Sequence, residues 1–147
     1  MNNNLPNIVI GSDHAGFEQK ESVKLSLESL GYSIKDYGPY NMDSVDYPDY
    51  AHKVAEAVLS GENTLGILLC GSGNGVCLTA NKHAGIRAAL CWLPELGALA
   101  RQHNNANILC LPARYINGEL ANEIVSAYLN ASFEGGRHEK RVEKIDL

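Results

Sequence analysis

The sequence predicts a three-layer α/β fold built on a parallel β-sheet. Apolar runs alternate along the chain with segments of helical periodicity, as in folds whose helices cover both faces of a sheet. Three of the five runs are close to continuously apolar, which is typical of strands buried on both faces. The strand candidates are residues 7–12, 32–37, 65–70, 86–92 and 107–112.

Helical patterns lie between these strands. Residues 50–59 place apolar side chains at the i, i+3, i+4 and i+7 positions of one helix face. Residues 23–30 do the same in the first helix, which Gly31 can end. Asn117 is a suitable N-cap for a later helix, and the tail from about residue 137 predicts a short charged helix.

One helix carries a polar residue on its apolar face. Pro94 suits the first turn of this helix, and Leu96, Leu99 and Ala100 form its apolar face. His103 continues the same face at i+7, so we expect its side chain to point inward. An inward histidine is more often a hydrogen-bonded core residue than a catalyst, and both interpretations stay open at this point.

Length and charge restrict the function. The chain has 147 residues, the size of one domain, and a formal net charge of −5. A general nucleic-acid-binding protein would carry an excess of basic residues, so that class is not favoured. We find no apolar run long enough for a membrane span, and the N-terminal residues lack the pattern of a signal peptide.

The chain contains four cysteines, and their spacing is informative. They lack the paired C-x-x-C spacing of zinc ribbons, and they do not resemble the framework of a small disulfide-rich protein. We therefore predict free thiols and a reducing, cytoplasmic setting. Cys77, Cys91 and Cys110 are expected to serve in packing, whereas Cys70 ends a strand and needs separate consideration.

Cys70 is followed by the glycine-rich loop Gly71–Gly75. The loop reads G-x-G-x-G, so it lacks the dinucleotide fingerprint and the Lys-Ser/Thr of a phosphate-binding P-loop. A cysteine phosphatase would need Arg six residues after the cysteine, where this chain has Val76. Backbone N–H groups beside a thiol are better suited to a transient oxyanion than to a permanent phosphate. The alternative is a buried, inert cysteine at a strand end.

Other polar residues follow strands or share a helix face. Asp13 and His14 come directly after the first strand, although Asp13 can equally be a helix cap. Arg114 follows the last strand. Arg137 and Arg141 are four residues apart, so they share a helix face and could clamp a phosphate. A solvated charged face is the common alternative for such a pair.

Six motifs, taken in order, resemble those of the ribose-5-phosphate isomerase B family, which also includes the galactose-6-phosphate isomerase subunits. The resemblance runs from about Ile8 to about Val142. No single motif is decisive, and the assignment depends on their order. The motifs are GSDHAGF, DYPDYA, CGSGNG, ANKHAGIRAAL, RQHNNANIL and EGGRHEKRV.

The resemblance implies a fold and an activity. It implies a Rossmann-like five-stranded parallel sheet in a single isomerase domain covering residues 1–147. It also implies the interconversion of ribose 5-phosphate and ribulose 5-phosphate in the pentose phosphate pathway, without metal or organic cofactor. The expected assembly is a homodimer, or a tetramer, with shared active sites and with the helix from about residue 137 at the dimer interface.

The resemblance also implies roles for individual residues. Cys70 matches the general base that moves a proton between C2 and C1 through a cis-enediolate, and Asp13 and His103 match residues that open the furanose ring. Gly71, Ser72, Gly73, Asn74 and Gly75 match the loop whose N–H groups hold the enediolate oxygen. Tyr47 and Asn104 match sugar contacts, and His14, Arg114, Arg137 and Arg141 match the phosphate site. His103, Asn104 and Arg114 are expected from the partner chain.

The sequence departs from the family pattern in two places. One branch of the family uses a Glu base six residues after the position of Cys70, and this chain has a similar loop but carries Val76 there. Val76 cannot accept a proton, so Cys70 remains the expected base. Ser72 stands where many members with a cysteine base have Thr, and it keeps the hydroxyl. Two alternatives stay open: an allose or galactose 6-phosphate isomerase of the same family, and a non-catalytic phosphosugar sensor.

Overall fold

A computed structural model describes residues 4–147, and its core is a five-stranded parallel sheet with the strand order β2-β1-β3-β5-β4. The predicted α/β class and the number of strands are confirmed. The strands are β1 (Asn7–Ser12), β2 (Ile34–Asp36), β3 (Thr64–Cys70), β4 (Ala88–Leu90) and β5 (Ile108–Pro112). The helices are α1 (Phe17–Ser29), α2 (Tyr47–Ser60), α3 (Asn74–Ala80), α4 (Pro94–Asn104), α5 (Gly118–Asn130) and α6 (Arg137–Glu143).

Helices cover both faces of the sheet, which explains the continuous apolar runs. Alternate side chains of β1, β3 and β5 point to opposite faces, as the period of a strand requires. One face packs against α1, α4 and α5 around the buried Tyr128, and the other packs against α2 and α3 around Val54 and Val76. The Cys70 side chain lies on the α2–α3 side.

The edge strands are shorter than predicted. β2 and β4 have three residues each, where runs of six and seven residues were expected. A strand at the edge has a hydrogen-bonding neighbour on one side only, so fewer of its residues are held in the ladder. At the outer edge of β4, the Asn81 side chain donates to Ala88 O and accepts from Ala88 N, at 2.9 and 2.8 Å. The Asn81 side chain thus makes the backbone hydrogen bonds to Ala88 that a further strand would otherwise make.

The helix boundaries follow their predicted signals. Asn117 caps α5 as expected, because its side-chain oxygen accepts the Leu120 N–H at 2.8 Å. Gly31 follows α1 with a φ of 95°, a backbone conformation that favours glycine. Leu30, predicted on the apolar face of α1, is instead 65% exposed because the helix ends at Ser29. Among the helices of residues 4–147, none is long and apolar enough to span a membrane.

The topology defines where a ligand can bind. In the sheet, β2 is the neighbour of β1 on one side, and β3 is its neighbour on the other side. The loops that follow β1 and β3 therefore diverge and leave a crevice at the carboxyl ends of the strands. Ligands of open α/β sheets bind at such a switch point. Asp13 follows β1 there, and Cys70 ends β3.

Candidate active site

A pocket of about 460 Å³ opens at this switch point. It brings together side chains from segments that are distant in sequence, at the carboxyl ends of β1, β3 and β5 and at the start of α2. Most of the residues proposed for the base, the oxyanion loop and the sugar contacts lie in it. The lining residues are Asp13, Tyr47, Cys70, Gly71, Ser72, Asn74, Gly75, Leu78, Arg114 and Tyr115.

Cys70 lies at the floor of the pocket. It is the last residue of β3, and its register partner on β5 is Pro112. Its backbone oxygen accepts the Ala113 N–H at 2.9 Å, so the strand end is tied to the loop after β5. The residue is only 5% exposed. A reacting group on such a rigid strand end is held in place, while its small exposed surface faces the pocket.

The glycine-rich loop turns sharply from β3 into α3. Gly73 has a φ of 76°, in the left-handed region that glycine adopts without strain. At Gly75, a Cβ atom would lie 2.5 Å from the Tyr47 ring, so the absence of a side chain lets that ring approach the loop. The Ser72 hydroxyl accepts the Asn74 N–H at 3.2 Å. Local backbone requirements thus account for the glycines and for one contact of Ser72.

Asp13 stabilises the turn before α1 and also lines the pocket. Its Oδ1 accepts the Gly16 N–H at 3.0 Å, and its own N–H donates to Leu69 O at 3.1 Å. The N-cap residue of α1 is Gly16, so Asp13 fixes the turn that precedes the helix rather than capping it. This structural contact is compatible with a chemical role, because Asp13 lines the same pocket as Cys70.

Arg114 and His14, two of the predicted phosphate ligands, differ in their position relative to the pocket. Arg114 lines the pocket of its own chain, where its N–H donates to Gly71 O at 3.0 Å and its side chain passes over Gly71. No partner chain is needed to bring Arg114 to the pocket. His14 does not line the pocket, and its Nδ1 accepts the Val45 N–H at 3.2 Å, in the loop that leads to Tyr47.

The remaining predicted residues lie near the amino ends of the strands, at the end of the sheet opposite the pocket. α4 follows β4 and runs back toward the amino end of β5, so His103 and Asn104 stand just before that strand. β5 has five residues, and at about 3.3 Å per residue its two ends are about 15 Å apart. Arg137 and Arg141 lie near His103, because α6 packs on the end of α4. A single chain therefore does not bring His103 to its own Cys70.

The prediction that His103 points inward is wrong. Its side chain is 38% exposed, and its ring stacks on that of His138 with centroids 4.2 Å apart. Helical periodicity identified a face of α4, but α5 covers that face only in part. Glu134 lies beside both rings, with Oε1 3.8 Å from His103 Nε2 and 3.6 Å from His138 Nε2.

Sequence reasoning missed several residues around these two regions. Tyr115 and Leu78 line the pocket. The rule that selected Arg114, proximity to a strand end, would also have selected Tyr115. Glu134 and His138 had no comparable signal, because their contact with His103 depends on how the segment after α5, including α6, packs against α4.

The other cysteines are free and differ from Cys70 in position. Cys91 and Cys110 are 2% and 0% exposed, and both belong to the core. Burial raises the pKa of the Cys91 thiol to about 12 and that of Cys110 well above its ordinary value. Cys77 is partly buried, and its thiol donates to Ala88 O at 3.4 Å. None of these three thiols lines the pocket.

Comparison with known proteins identifies the family. The sequence profile described as Ribose/Galactose Isomerase matches residues 8–145. A ribose-5-phosphate isomerase B from Escherichia coli is 46% identical over 94% of this chain and 93% of its own length. A crystal structure of a ribose 5-phosphate isomerase from Thermotoga maritima is 55% identical, with a TM-score of 0.94 over 96% of this chain and 97% of that one.

A third similar protein was solved with a ligand. The structure of ribose-5-phosphate isomerase B from Mycoplasma genitalium, with bound ribulose-5-phosphate, is 45% identical, with a TM-score of 0.90. The two chains cover 95% and 93% of each other. The sequence match, the strand order and the pocket at the switch point agree, and the chain belongs to the ribose/galactose isomerase family.

Proposed function

We propose that this protein interconverts D-ribose 5-phosphate and D-ribulose 5-phosphate, with Cys70 as the general base. The observation that carries the proposal is the position of Cys70 at the floor of the switch-point pocket, between Asp13 and the glycine-rich loop. The similarity to ribose-5-phosphate isomerases over nearly the whole chain supports the same reaction.

The isomerisation needs a base, an oxyanion site and an acid–base group for ring opening. The Cys70 thiolate takes the proton from C2, and the electron pair moves into a cis-enediolate. The hydroxyl proton on O2 then passes to O1, the Cys70 thiol returns its proton to C1, and the ketose forms. We assign the oxygen that becomes negative to the backbone N–H groups of Gly71–Gly75, and Gly71, Ser72, Asn74 and Gly75 line the pocket.

Ring opening precedes proton transfer, because the cyclic sugar has no free carbonyl. A base removes the proton of the C1 hydroxyl, the bond from C1 to the ring oxygen breaks, and an acid protonates that oxygen. We assign these steps to Asp13 and His103. Tyr47 and Asn104 are the proposed sugar contacts. Asp13 and Tyr47 line the pocket of one chain, whereas His103 and Asn104 precede the amino end of β5, a strand about 15 Å long whose carboxyl end lies at the pocket.

The phosphate is the part of the substrate that does not react, and we assign it to His14, Arg114, Arg137 and Arg141. Arg137 and Arg141 are exposed, and within residues 4–147 neither forms an ion pair with a carboxylate. They are therefore available for an anionic ligand. Binding the phosphate orients C1 and C2 beside the base, which converts binding energy into positioning.

A homodimer would complete the site. We infer that His103 and Asn104 reach Cys70 from a second copy, with α6 at the interface. Apolar side chains are exposed around the mouth of the pocket, including Leu78 at 68% and Tyr115 at 78%. Trp92 and Leu93, after the neighbouring strand β4, are 52% and 47% exposed. Covering these side chains with another subunit would bury apolar surface beside the site.

Shared sites can be tested by complementation. We expect Cys70→Ala and His103→Ala homodimers each to be nearly inactive, and co-expression of the two chains to restore activity. If sites combine Cys70 of one chain with His103 of the other, about one quarter of wild-type activity returns, because half of the dimers are mixed and each has one intact site. No recovery in mixed dimers, verified by mass spectrometry, would place each site within one chain.

The phosphate assignment predicts a selective effect on substrate binding. We expect Arg137→Ala to raise KM for ribose 5-phosphate about 10–100-fold, the value of a hydrogen bond to a charged group, with a smaller change in kcat. The measurement is steady-state kinetics with ribose 5-phosphate and with ribose. Lys140→Ala on the same exposed helix is the matched control, and its KM should stay near the wild-type value. Equal losses of kcat/KM with both sugars would assign Arg137 a structural role.

A related activity is the isomerisation of allose or galactose 6-phosphate. The pocket is open to solvent at Tyr47, Leu78 and Tyr115, so one additional carbon is not excluded by its shape. Parallel kcat/KM values for pentose and hexose phosphates decide between the two substrates. A coupled assay with ribose 5-phosphate in the presence of EDTA tests the activity itself and its independence of metal. Binding without turnover would instead support a phosphosugar sensor.

We also propose a cytoplasmic location. The four cysteines are free, and a reducing compartment preserves thiols in that state.

A further inference from the structure

The side chains of His103, Glu134 and His138 form a cluster at the end of α4, away from the pocket. Their ligand atoms, two imidazole nitrogens and one carboxylate oxygen, all lie within 4.8 Å of one another. Two histidines and one glutamate are a recognised set of ligands for Zn²⁺. Within residues 4–147, this is the one group of three or more His, Cys, Asp or Glu side chains with such a spacing.

We propose that His103, Glu134 and His138 form a binding site for a divalent transition metal, best suited to Zn²⁺, and that an ion bound there takes His103 out of the isomerase reaction. The metal-binding part of the proposal stands on the geometry of the cluster. The inhibitory part rests on the proposed function, in which His103 opens the sugar ring.

The distances are close to those of a metal site. With Zn–ligand bonds of about 2.0–2.1 Å, neighbouring ligand atoms in a tetrahedral site are about 3.4 Å apart. Glu134 Oε1 is 3.6 Å from His138 Nε2 and 3.8 Å from His103 Nε2. A contraction of a few tenths of an ångström therefore brings the carboxylate and each imidazole to the spacing of a Zn²⁺ site.

The two rings must also converge on the ion. Their planes are 12° from parallel, so their nitrogen lone pairs point in similar directions, and one ring has to tilt. The His138 side chain, on α6, is 11% exposed where that helix packs against α4. The His103 side chain, in the last turn of α4, is 38% exposed. His103 is therefore the ring that moves, and its movement removes the imidazole from its orientation toward substrate.

The charges in and beside the cluster affect how tightly it would hold a metal ion. A metal ligand must be a neutral imidazole, and the His138 tautomer with the proton on Nδ1 presents Nε2 to the ion. The carboxylate of Glu134 supplies the negative charge. Arg137 opposes a bound cation, so removing its charge should strengthen zinc binding.

The first test measures binding directly, without substrate. Titration calorimetry with ZnCl₂ on the full chain should give one zinc per chain, and Co²⁺ should give the visible absorption of a tetrahedral site. We expect Glu134→Gln and His138→Gln each to weaken zinc binding at least about tenfold. Glu139→Gln, an exposed change on α6, and His52→Gln, which removes the other close histidine pair (2.7 Å to His83), should leave it unchanged. Equal zinc affinity in Glu134→Gln and Glu139→Gln would overturn the site.

The second test links binding to activity. Zinc should inhibit the wild-type enzyme over the concentration range in which it binds, EDTA should reverse the inhibition, and Glu134→Gln should need at least about tenfold more zinc. Zinc should bind the Cys70→Ala variant with wild-type affinity. Loss of binding in that variant would move the metal to the pocket thiol and refute the proposal. Zinc binding that depends on Glu134, in a protein without isomerase activity, would refute the proposed function and retain the site.

Discussion

The Cys70→Ala variant is expected to fold and to lose isomerase activity by a factor of about 10²–10⁴, the usual contribution of a general base. The proposed function assigns the C2 proton to this thiol, and the residue at the alternative base position, Val76, is 0% exposed in the core between α2 and α3. The measurement is kcat in a coupled assay with ribose 5-phosphate, with circular dichroism to verify the fold.

Two control variants make this result specific. Cys70→Ser keeps the shape of the side chain but replaces the thiol with a weaker acid, so we expect a comparable loss of activity. Cys77→Ala removes a thiol outside the pocket and should keep activity near the wild-type value. Near-normal turnover of folded Cys70→Ala would show that another group is the base.

The second large effect concerns stability. The Lys20 side chain is 0% exposed, and its Nζ lies 2.7 Å from Asp36 Oδ2, which Lys24 also contacts at 3.0 Å. Asp36→Asn removes the close counter-charge of the buried Lys20 ammonium and leaves it the more distant Glu21 Oε2 at 3.8 Å, and breaking a buried pair in this way costs about 3–5 kcal/mol. Asp36 Oδ1 also accepts the Gly38 N–H at 2.8 Å, so the loop after β2 should loosen as well.

The free energy of unfolding, from urea titrations at a fixed protein concentration, is the measurement. Asp43→Asn provides the control, because Asp43 is exposed in the same loop and its substitution should change stability by no more than about 0.5 kcal/mol. A cost for Asp36→Asn as small as that of Asp43→Asn would mean that the buried Lys20 finds another partner.

The same pair gives a dependence on pH. Burial alone would raise the pKa of Asp36, but hydrogen bonds from Lys20, Gly38 and Lys24 outweigh it and lower the pKa below 3.8. The folded state therefore releases this proton more readily than the unfolded state. Its stabilising contribution is complete above the ordinary carboxyl pKa and is lost as pH falls through the lowered value. The difference in stability between wild type and Asp36→Asn should shrink in that acidic range.

Several parts of the fold were predictable because their signals are local. The cap at Asn117 depends on a hydrogen bond three residues along the chain, and the helical face of α2 follows from a period of 3.6 residues. The position of Cys70 also follows from local evidence. Parallel strands place their ends at one edge of the sheet, so a cysteine and a glycine-rich loop after one strand meet an aspartate after another.

Other features depended on which elements pack together. The periodicity of α4 identified the face that carries His103, but the face is only partly covered, and the histidine remains 38% exposed. The short edge strands likewise result from the absence of a second neighbouring strand. The residues of β2 and β4 themselves carry no signal of this position. Neither the exposure of His103 nor the length of the edge strands can be predicted from the sequence of a single helix or strand.

By itself, the sequence determined the class of fold, the residues at the strand ends and the pair of arginines on the last helix, because these depend on periodicity and on contacts within a few residues. The tertiary structure alone decided that the residues of the proposed site lie at both the carboxyl and the amino ends of the strands, and that His138 and Glu134 meet His103. Those arrangements depend on the direction of α4 and on the packing of α6 against it, which are contacts between segments distant in sequence.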